Sequence, residues 1–272
     1  MRNLSSSKPI SGRNISYETP SPGISSNVLL PSFPNTLKSI YGKDDSFIAI
    51  FAMMAMTRII IFDFDGTLGD TRANILLTMR MTLRKLGLPE KDDETIAATI
   101  GIPLGEGFLQ MFPGLTPEQE ELCTRTYRAI FEENKKDLVP ALFPHVRETL
   151  AALKDRGYIL TVASSRSSAS LNGFLRDMGI AGCISFVLGA DNVEKAKPHP
   201  EPVLRTLEEF GIDASAAVVV GDMPVDIQMG RAAGARTVAV TYGNSSREAL
   251  AAAGADYIID DIAELTKTIE SI

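Results

Sequence analysis

Beyond residue 57 the hydrophobic positions of this chain fall into two repeating patterns, short continuous apolar runs and runs with helical spacing, and over the first 46 residues into neither. Ile59-Ile60-Ile61-Phe62 is a short, β-branched apolar run, the signature of a strand buried on both faces of a parallel sheet. After it, Leu76, Met79, Leu83 and Leu86 recur on one face of a predicted helix, with Asp70 or Thr71 placed to cap it and Gly87 to end it. Further helices are predicted near residues 92–100, 104–111 and 116–136, the last opened by Thr116-Pro117-Glu118-Gln119 with a cap, a proline in the first turn and early acids. No convincing strand interrupts residues 71–139, and the chain returns through Pro140 and Pro144, a plausible hinge.

The alternation then becomes regular. Helices are predicted at 146–156, 168–178, 201–210, 226–233 and 247–253, and strands at 158–163, 184–188, 216–220, 237–240 and 257–259, with a last helix through Leu265. Short connections between such elements favour right-handed crossovers. The expected fold is α/β, a three-layer Rossmann-like core with a mostly parallel sheet and an inserted all-helical cap. Residues 58–69 and 144–272 form the core and residues 70–143 the cap, a lid over the catalytic edge.

Residues 1–57 read differently. The first 46 hold eleven Ser and five Pro, with little periodicity and Glu18 as the only acid before Asp44. Such a segment buries too little apolar area to offset its ordering entropy, so disorder or loose packing is expected. The apolar run 47–56 is too short to span a bilayer. Its place behind a basic, Ser-rich leader is compatible with an organelle-targeting segment, and equally with a functional start at Met54 or Met56. Without targeting, the expected location is cytoplasmic.

Composition narrows the partners. A chain of 272 residues with 44% hydrophobic content builds a real core, and a net charge of −7 argues against a nucleic-acid surface. No membrane span is expected, and a monomer or weak homodimer is. Cys123 and Cys183, far apart in apolar contexts, read as reduced thiols. There is no Gly-rich dinucleotide fingerprint and no phosphate loop.

The candidate chemistry begins where the first strand ends, in Asp63-Phe64-Asp65-Gly66-Thr67. Carboxyl ends of strands in an open α/β sheet border the ligand crevice. Two carboxylates there repel unless a cation or a shared proton relieves them, which asks for a hard metal such as Mg²⁺ or for a proton on one acid. The same edge should receive Ser164 after the second strand, Lys197 in the stiff turn Lys195-Ala196-Lys197-Pro198-His199-Pro200, and Asp222 and Asp226 after the apolar strand ending at Val220. Singly, each has an ordinary reading as a cap, a solvated lysine or a first-turn acid.

In order and context, these segments resemble the four motifs of the haloacid dehalogenase-like hydrolase superfamily, and the resemblance covers roughly residues 58–270. The chain looks like the phosphoglycolate phosphatase-like branch with a helical cap, including its tail Thr241-Tyr242-Gly243. The resemblance implies Asp63 as nucleophile through an aspartyl-phosphate, and Asp65 as acid and then base. It implies Mg²⁺ held by Asp63, the backbone carbonyl of Asp65, and Asp222, with Asp226 a ligand through water or an orienting neighbour. Lys197 would balance charge, and Ser164 would bind the phosphoryl oxygens. Dehalogenases of the family lack an acid at the position of Asp65, since halide leaves without a proton, so a phosphatase is favoured.

Ser165, Gly101, Leu104 and Arg72 are the candidate substrate contacts, with Arg80 a further possible anion contact, and the loop 101–108 is the expected specificity element. Phe108 and Met111 should pack the cap's own core. The expected partner is a small phosphorylated metabolite, 2-phosphoglycolate first. A phosphosugar mutase or inorganic pyrophosphatase would use the same core. A Schiff-base phosphonate hydrolase would need a cap lysine in an apolar pocket, which Lys85, Lys91, Lys135 and Lys136 do not suggest. An interaction module with an unused site is the reading from a different class, and retention of every charged role argues against it.

Overall fold

The computed structural model describes residues 59–272 except Leu138. The leader and its apolar run lie outside the described residues, as do the readings attached to them. Six parallel strands form the main sheet: β1 (Ile59–Phe62), β4 (Ile159–Ala163), β5 (Phe186–Leu188), β6 (Ala217–Gly221), β7 (Arg236–Val240) and β8 (Tyr257–Ile259), in the order β5-β4-β1-β6-β7-β8. β1 pairs with β4 from Ile59↔Ile159 and with β6 from Ile59↔Ala217. The strand order therefore reverses at β1, with β4 and β5 on one side and β6 to β8 on the other, and a crevice opens at the carboxyl end of such a switch point.

The unbroken apolar run of β1 follows from burial on both faces. Side chains alternate across a strand. Ile60 and Phe62 join the core built with α5 (Val146–Asp155), α6 (Ser168–Asp177) and α10 (Leu265–Glu270), whereas Ile59 and Ile61 face α7 (Glu201–Phe210) and α8 (Pro224–Ala232). A polar residue on either face would lose its water. α9 (Arg247–Ala252) packs Leu250 with Ile227 and Ala239 at the β7 and β8 side.

The cap inserts through a two-stranded ribbon, with β2 (Gly69–Asp70) antiparallel to β3 (Ala141–Leu142). Its helices are α1 (Arg72–Leu86), α2 (Asp93–Ala97), α3 (Leu104–Met111) and α4 (Pro117–Asn134). Leu76, Met79, Leu83, Ile96, Phe108, Met111, Cys123 and Tyr127 form the cap's own core, as expected for Phe108 and Met111. α4 opens with a full capping box, Thr116 Oγ1 accepting from Gln119 N while Gln119 Oε1 accepts from Thr116 N.

Three local expectations give way. Asp70 joins the ribbon, and Thr71, though at the N-cap of α1, has helical backbone angles and makes no side-chain cap bond. A capping hydroxyl needs an extended N-cap backbone to reach the free amides. The last helix begins at Leu265 rather than running through it, because Asp261 caps a 3₁₀ turn, Ile262–Glu264, just before it. α8 starts at Pro224, two residues before the expected start at 226, because proline fits the first turn; Asp226 is then the third residue of that turn. Both cysteines are free, Cys123 buried and Cys183 half-buried. Among the described residues no helix is long and apolar enough to cross a membrane.

Phe64, between the two acids of the first motif, turns inward and stacks on Phe174 with ring centroids 5.6 Å apart. Its backbone carbonyl accepts from Leu68 N and Gly69 N, which folds the chain into the ribbon. Phe64→Ala should lower unfolding stability in urea by about 3–5 kcal/mol. Leu109→Ala, at a cap position 40% exposed, should stay within about 0.5 kcal/mol of wild type.

Candidate active site

The turn after β1 carries Asp63 and Asp65 to different partners, Lys197 and Arg166. Asp63 N donates to Val220 O at 2.9 Å, which fixes its carboxylate at the crevice floor, 3% exposed. Lys197, from the loop after β5, donates to Asp63 Oδ1 at 2.6 Å and to Asp226 Oδ1 at 2.7 Å. Asp226 Oδ2 accepts from Met223 N at 3.0 Å, so this residue both caps α8 and serves the site. The first-turn reading of Asp226 therefore does not exclude its place in the cluster.

Asp222 is fixed from two other segments. Thr67 Oγ1 donates to its Oδ1 at 3.0 Å, and Asn244 N and Nδ2 donate to its Oδ2 at 2.7 and 3.0 Å. The backbone must come close for this. Gly66 has φ +86°, and a Cβ there would stand 2.2 Å from Asp222 Oδ2. Thr67 and Asn244 had been given no role on sequence.

Carboxylate oxygens of Asp63, Asp222 and Asp226 lie within 4.8 Å of one another, and Asp63 Oδ2 is buried with no hydrogen-bond partner. Burial raises the Asp63 carboxyl well above its ordinary range; Lys197 opposes this, while Asp226, Asp222 and Asp65 add to it. Asp222 is pushed up to about 7 by burial and by Asp226, against the hydrogen bonds from Asn244 and Thr67. Lys197 resists the loss of its proton, since Asp226 and Asp63 outweigh its burial. Three acids with one ammonium and an orphaned oxygen fit a hard divalent cation such as Mg²⁺. The Asp65 carboxylate lies outside this cluster.

Asp65 instead meets Arg166, whose Nε lies 2.8 and 2.7 Å from its two oxygens. Arg166 was not nominated on sequence, although it directly follows Ser164-Ser165 at the end of β4. Ser164 is buried, and its Oγ accepts from Arg166 N at 3.3 Å. Ser165 Oγ donates to Gly101 O at 2.7 Å, tying the core to the cap loop. Asp65, Ser165, Arg166, Gly101 and Leu104 line one cavity of about 570 Å³, closed on the cap side by Tyr127 and Phe131. That volume is in the range of small-molecule sites.

Two nominated arginines are placed elsewhere. Arg72 does not line the cavity; its Nη1 lies 3.4 Å from Asn244 Oδ1, behind the residue that holds Asp222. Arg80 pairs with Asp93 inside the cap. From α1 it is Ile75 and Met79 that line the cavity. Lys91 lies over the Phe112 ring and Lys135 pairs with Glu132, while Lys85 and Lys136 are exposed, so none of the four sits in an apolar pocket.

Because Asp222 moves from an ordinary 3.8 up to about 7, the fold favours its protonated form. The sign follows from linkage: stability is full below the unfolded value and is lost as pH rises through the folded one. In a chelator, the melting temperature should fall as pH rises from 3.8 through about 7, and Asp222→Asn should flatten that fall. Added Mg²⁺ should raise the melting temperature more above this window than below it. Equal shifts on both sides would contradict the assignment of this cluster to the cation.

The sequence matches the family model for haloacid dehalogenase-like hydrolases over residues 60–240. It is 39% identical over 214 residues to "Probable phosphatase IndB" of Dickeya dadantii, covering 77% of this chain and 92% of that protein. It is 30% identical over 221 residues to a phosphoglycolate phosphatase of Haemophilus influenzae, covering 78% and 98%. A crystal structure of a predicted phosphoglycolate phosphatase from Haemophilus somnus superposes with a TM-score of 0.72 at 29% identity, covering 79% of this chain and 99% of that one. With the reversal of strand order at β1, the acids grouped at its end and the helical cap above them, this chain belongs to the haloacid dehalogenase-like hydrolases, in their phosphoglycolate phosphatase-like branch.

Proposed function

We propose that the protein is a Mg²⁺-dependent phosphatase of small phosphomonoesters, with 2-phosphoglycolate as its leading substrate. The observation that carries this reading is Asp63, a buried carboxylate with one oxygen held by Lys197 and the other without a partner, beside a cavity that Asp65 enters. The names of the similar proteins supply the substrate.

In the proposed reaction an Asp63 oxygen attacks the phosphorus, the P–O ester bond breaks, and protonated Asp65 gives its proton to the leaving oxygen. Asp65, left ionised, then takes a proton from the water that cleaves the aspartyl-phosphate and restores Asp63. Bound Mg²⁺ would supply charge stabilisation for the phosphoryl oxygens. Lys197 holds the nucleophile in place and offsets charge on the transferring group, and Ser164 is a donor for its oxygens. The cap excludes water from this transfer.

Asp63→Asn should keep the fold and abolish turnover of 2-phosphoglycolate. Asp65→Asn should reduce kcat by about 10²–10⁴-fold. A loss of only a few-fold with an alkyl phosphate would remove Asp65 from the proton transfers. Bisphosphorylated sugars belong in the same assay, since transfer without release of phosphate would identify a mutase.

Specificity is assigned to the cap. Leu104 is half-buried and lines the cavity, whereas Glu106 is exposed and does not. Leu104→Ala should therefore change the kcat/KM ratio of 2-phosphoglycolate to a bulkier ester, with the Mg²⁺ midpoint unchanged, and Glu106→Ala should leave that ratio alone. A ratio unmoved by Leu104→Ala would take the loop out of substrate choice.

A further inference from the structure

Arg166 does more in this structure than close a salt bridge. Its side chain is only 13% exposed, and its Nε is committed to Asp65. Its guanidinium lies over Phe131 of the cap at 5.5 Å and over Phe174 of the core at 5.1 Å. Cation–aromatic contacts from two domains hold the guanidinium in place and leave its edge as the polar face. That edge carries the N–H groups of Nη1 and Nη2, and neither nitrogen donates to a protein acceptor among the described residues. A guanidinium has five such donors, and a fork of two suits a carboxylate or phosphate.

The position of these unused donors matters. Arg166 lines the same cavity as Asp65. In the proposed reaction Asp65 serves the leaving oxygen, so whatever that oxygen carries must extend past the carboxylate toward the arginine bonded to it. In 2-phosphoglycolate a carboxylate carbon stands two bonds beyond that oxygen. In pyrophosphate the second phosphorus is directly attached. Arg166 is the little-exposed cation that either anion would meet there.

Resting on the phosphatase reading, we propose that Arg166 is the receptor for a second anionic group, so that the site selects phosphoesters or anhydrides whose leaving group bears its own carboxylate or phosphate next to the bridging oxygen. Phe131 belongs to α4, so this receptor is complete only with the cap seated. The other arginine in the cavity, Arg128, is exposed.

The test is kcat/KM for 2-phosphoglycolate, pyrophosphate and the uncharged analogue 2-hydroxyethyl phosphate, in wild type, Arg166→Gln, Arg166→Lys and Arg128→Gln. Wild type should prefer an anionic leaving group, and Arg166→Gln should reduce that preference by about 10–100-fold, the range for hydrogen bonds to a charged group. Arg166→Lys keeps the charge without the fork, so it should lose part of the preference, and it decides the matter if the Gln variant does not fold. Loss confined to 2-phosphoglycolate or to pyrophosphate names which anion is read. An equal fall on all three compounds at unchanged melting temperature would mean that Arg166 acts only through Asp65, and would overturn the proposal. So would collapse of the preference in Arg128→Gln but not in Arg166→Gln. If wild type hydrolyses none of the three, the phosphatase reading fails by itself. Calorimetric binding of 2-phosphoglycolate against 2-hydroxyethyl phosphate, in wild type and Arg166→Gln, then still decides whether Arg166 receives the second anion.

Discussion

The Lys197 ammonium stands 2.6 Å from Asp63 and 2.7 Å from Asp226, all three groups almost without solvent. Removing charges from water costs several kcal/mol per ion, and mutual attraction offsets that only when geometry is good and remaining polar atoms are satisfied. Here one cation serves two carboxyl groups and Asp222 adds a third, so with all three ionised the cluster would carry an excess of negative charge. Asp63 Oδ2 is the atom left unsatisfied. Such an imbalance suits the cluster to hold a divalent cation.

The fold supplies the positions this cluster requires. β1 lies at the centre of the sheet, and its neighbours β4 and β6 deliver Ser164 and Asp222 to the same edge. Glycine lets the backbone close in. Gly66 and Gly243 both approach Asp222 so nearly that a side chain at either would collide with its carboxylate. Thr67 and Asn244 then orient that carboxylate by hydrogen bonds. Tyr242 braces the same turn, its hydroxyl donating to Thr67 O at 2.8 Å and its ring packed on Phe143.

Cap and core meet through few but specific contacts. The Ser165 bond to Gly101 O and the placement of Arg166 against Phe131 both cross the seam next to Asp65. Cap position and the environment of the acid are thereby linked. In the proposed reaction the core takes the phosphoryl group, which every candidate substrate shares. Leu104 and Arg166 line the cavity beside that seam.

Much of this was written in the chain. A strand buried on both faces must be apolar throughout, so Ile59 to Phe62 announced the centre of the sheet, and the acids directly after it could lie only at its end. Thr116 to Gln119 announced a helix start because a capping box is a local arrangement of neighbours. Asp63, Asp65, Ser164, Lys197, Asp222 and Asp226 were legible because their order and strand-end placement match a known family. What the sequence left undecided depends on partners distant along the chain. Thr71 offered a cap, but the ribbon at Asp70 sets its backbone. Arg72 reads as an anion contact on sequence and Arg166, 94 positions on, does not; the structure places Arg72 beside Asn244, and the Phe131 and Phe174 rings hold Arg166 against Asp65. An arginine's side chain is long and flexible, so its role is set by the surfaces that confine it, and those surfaces exist only when cap and core are folded together.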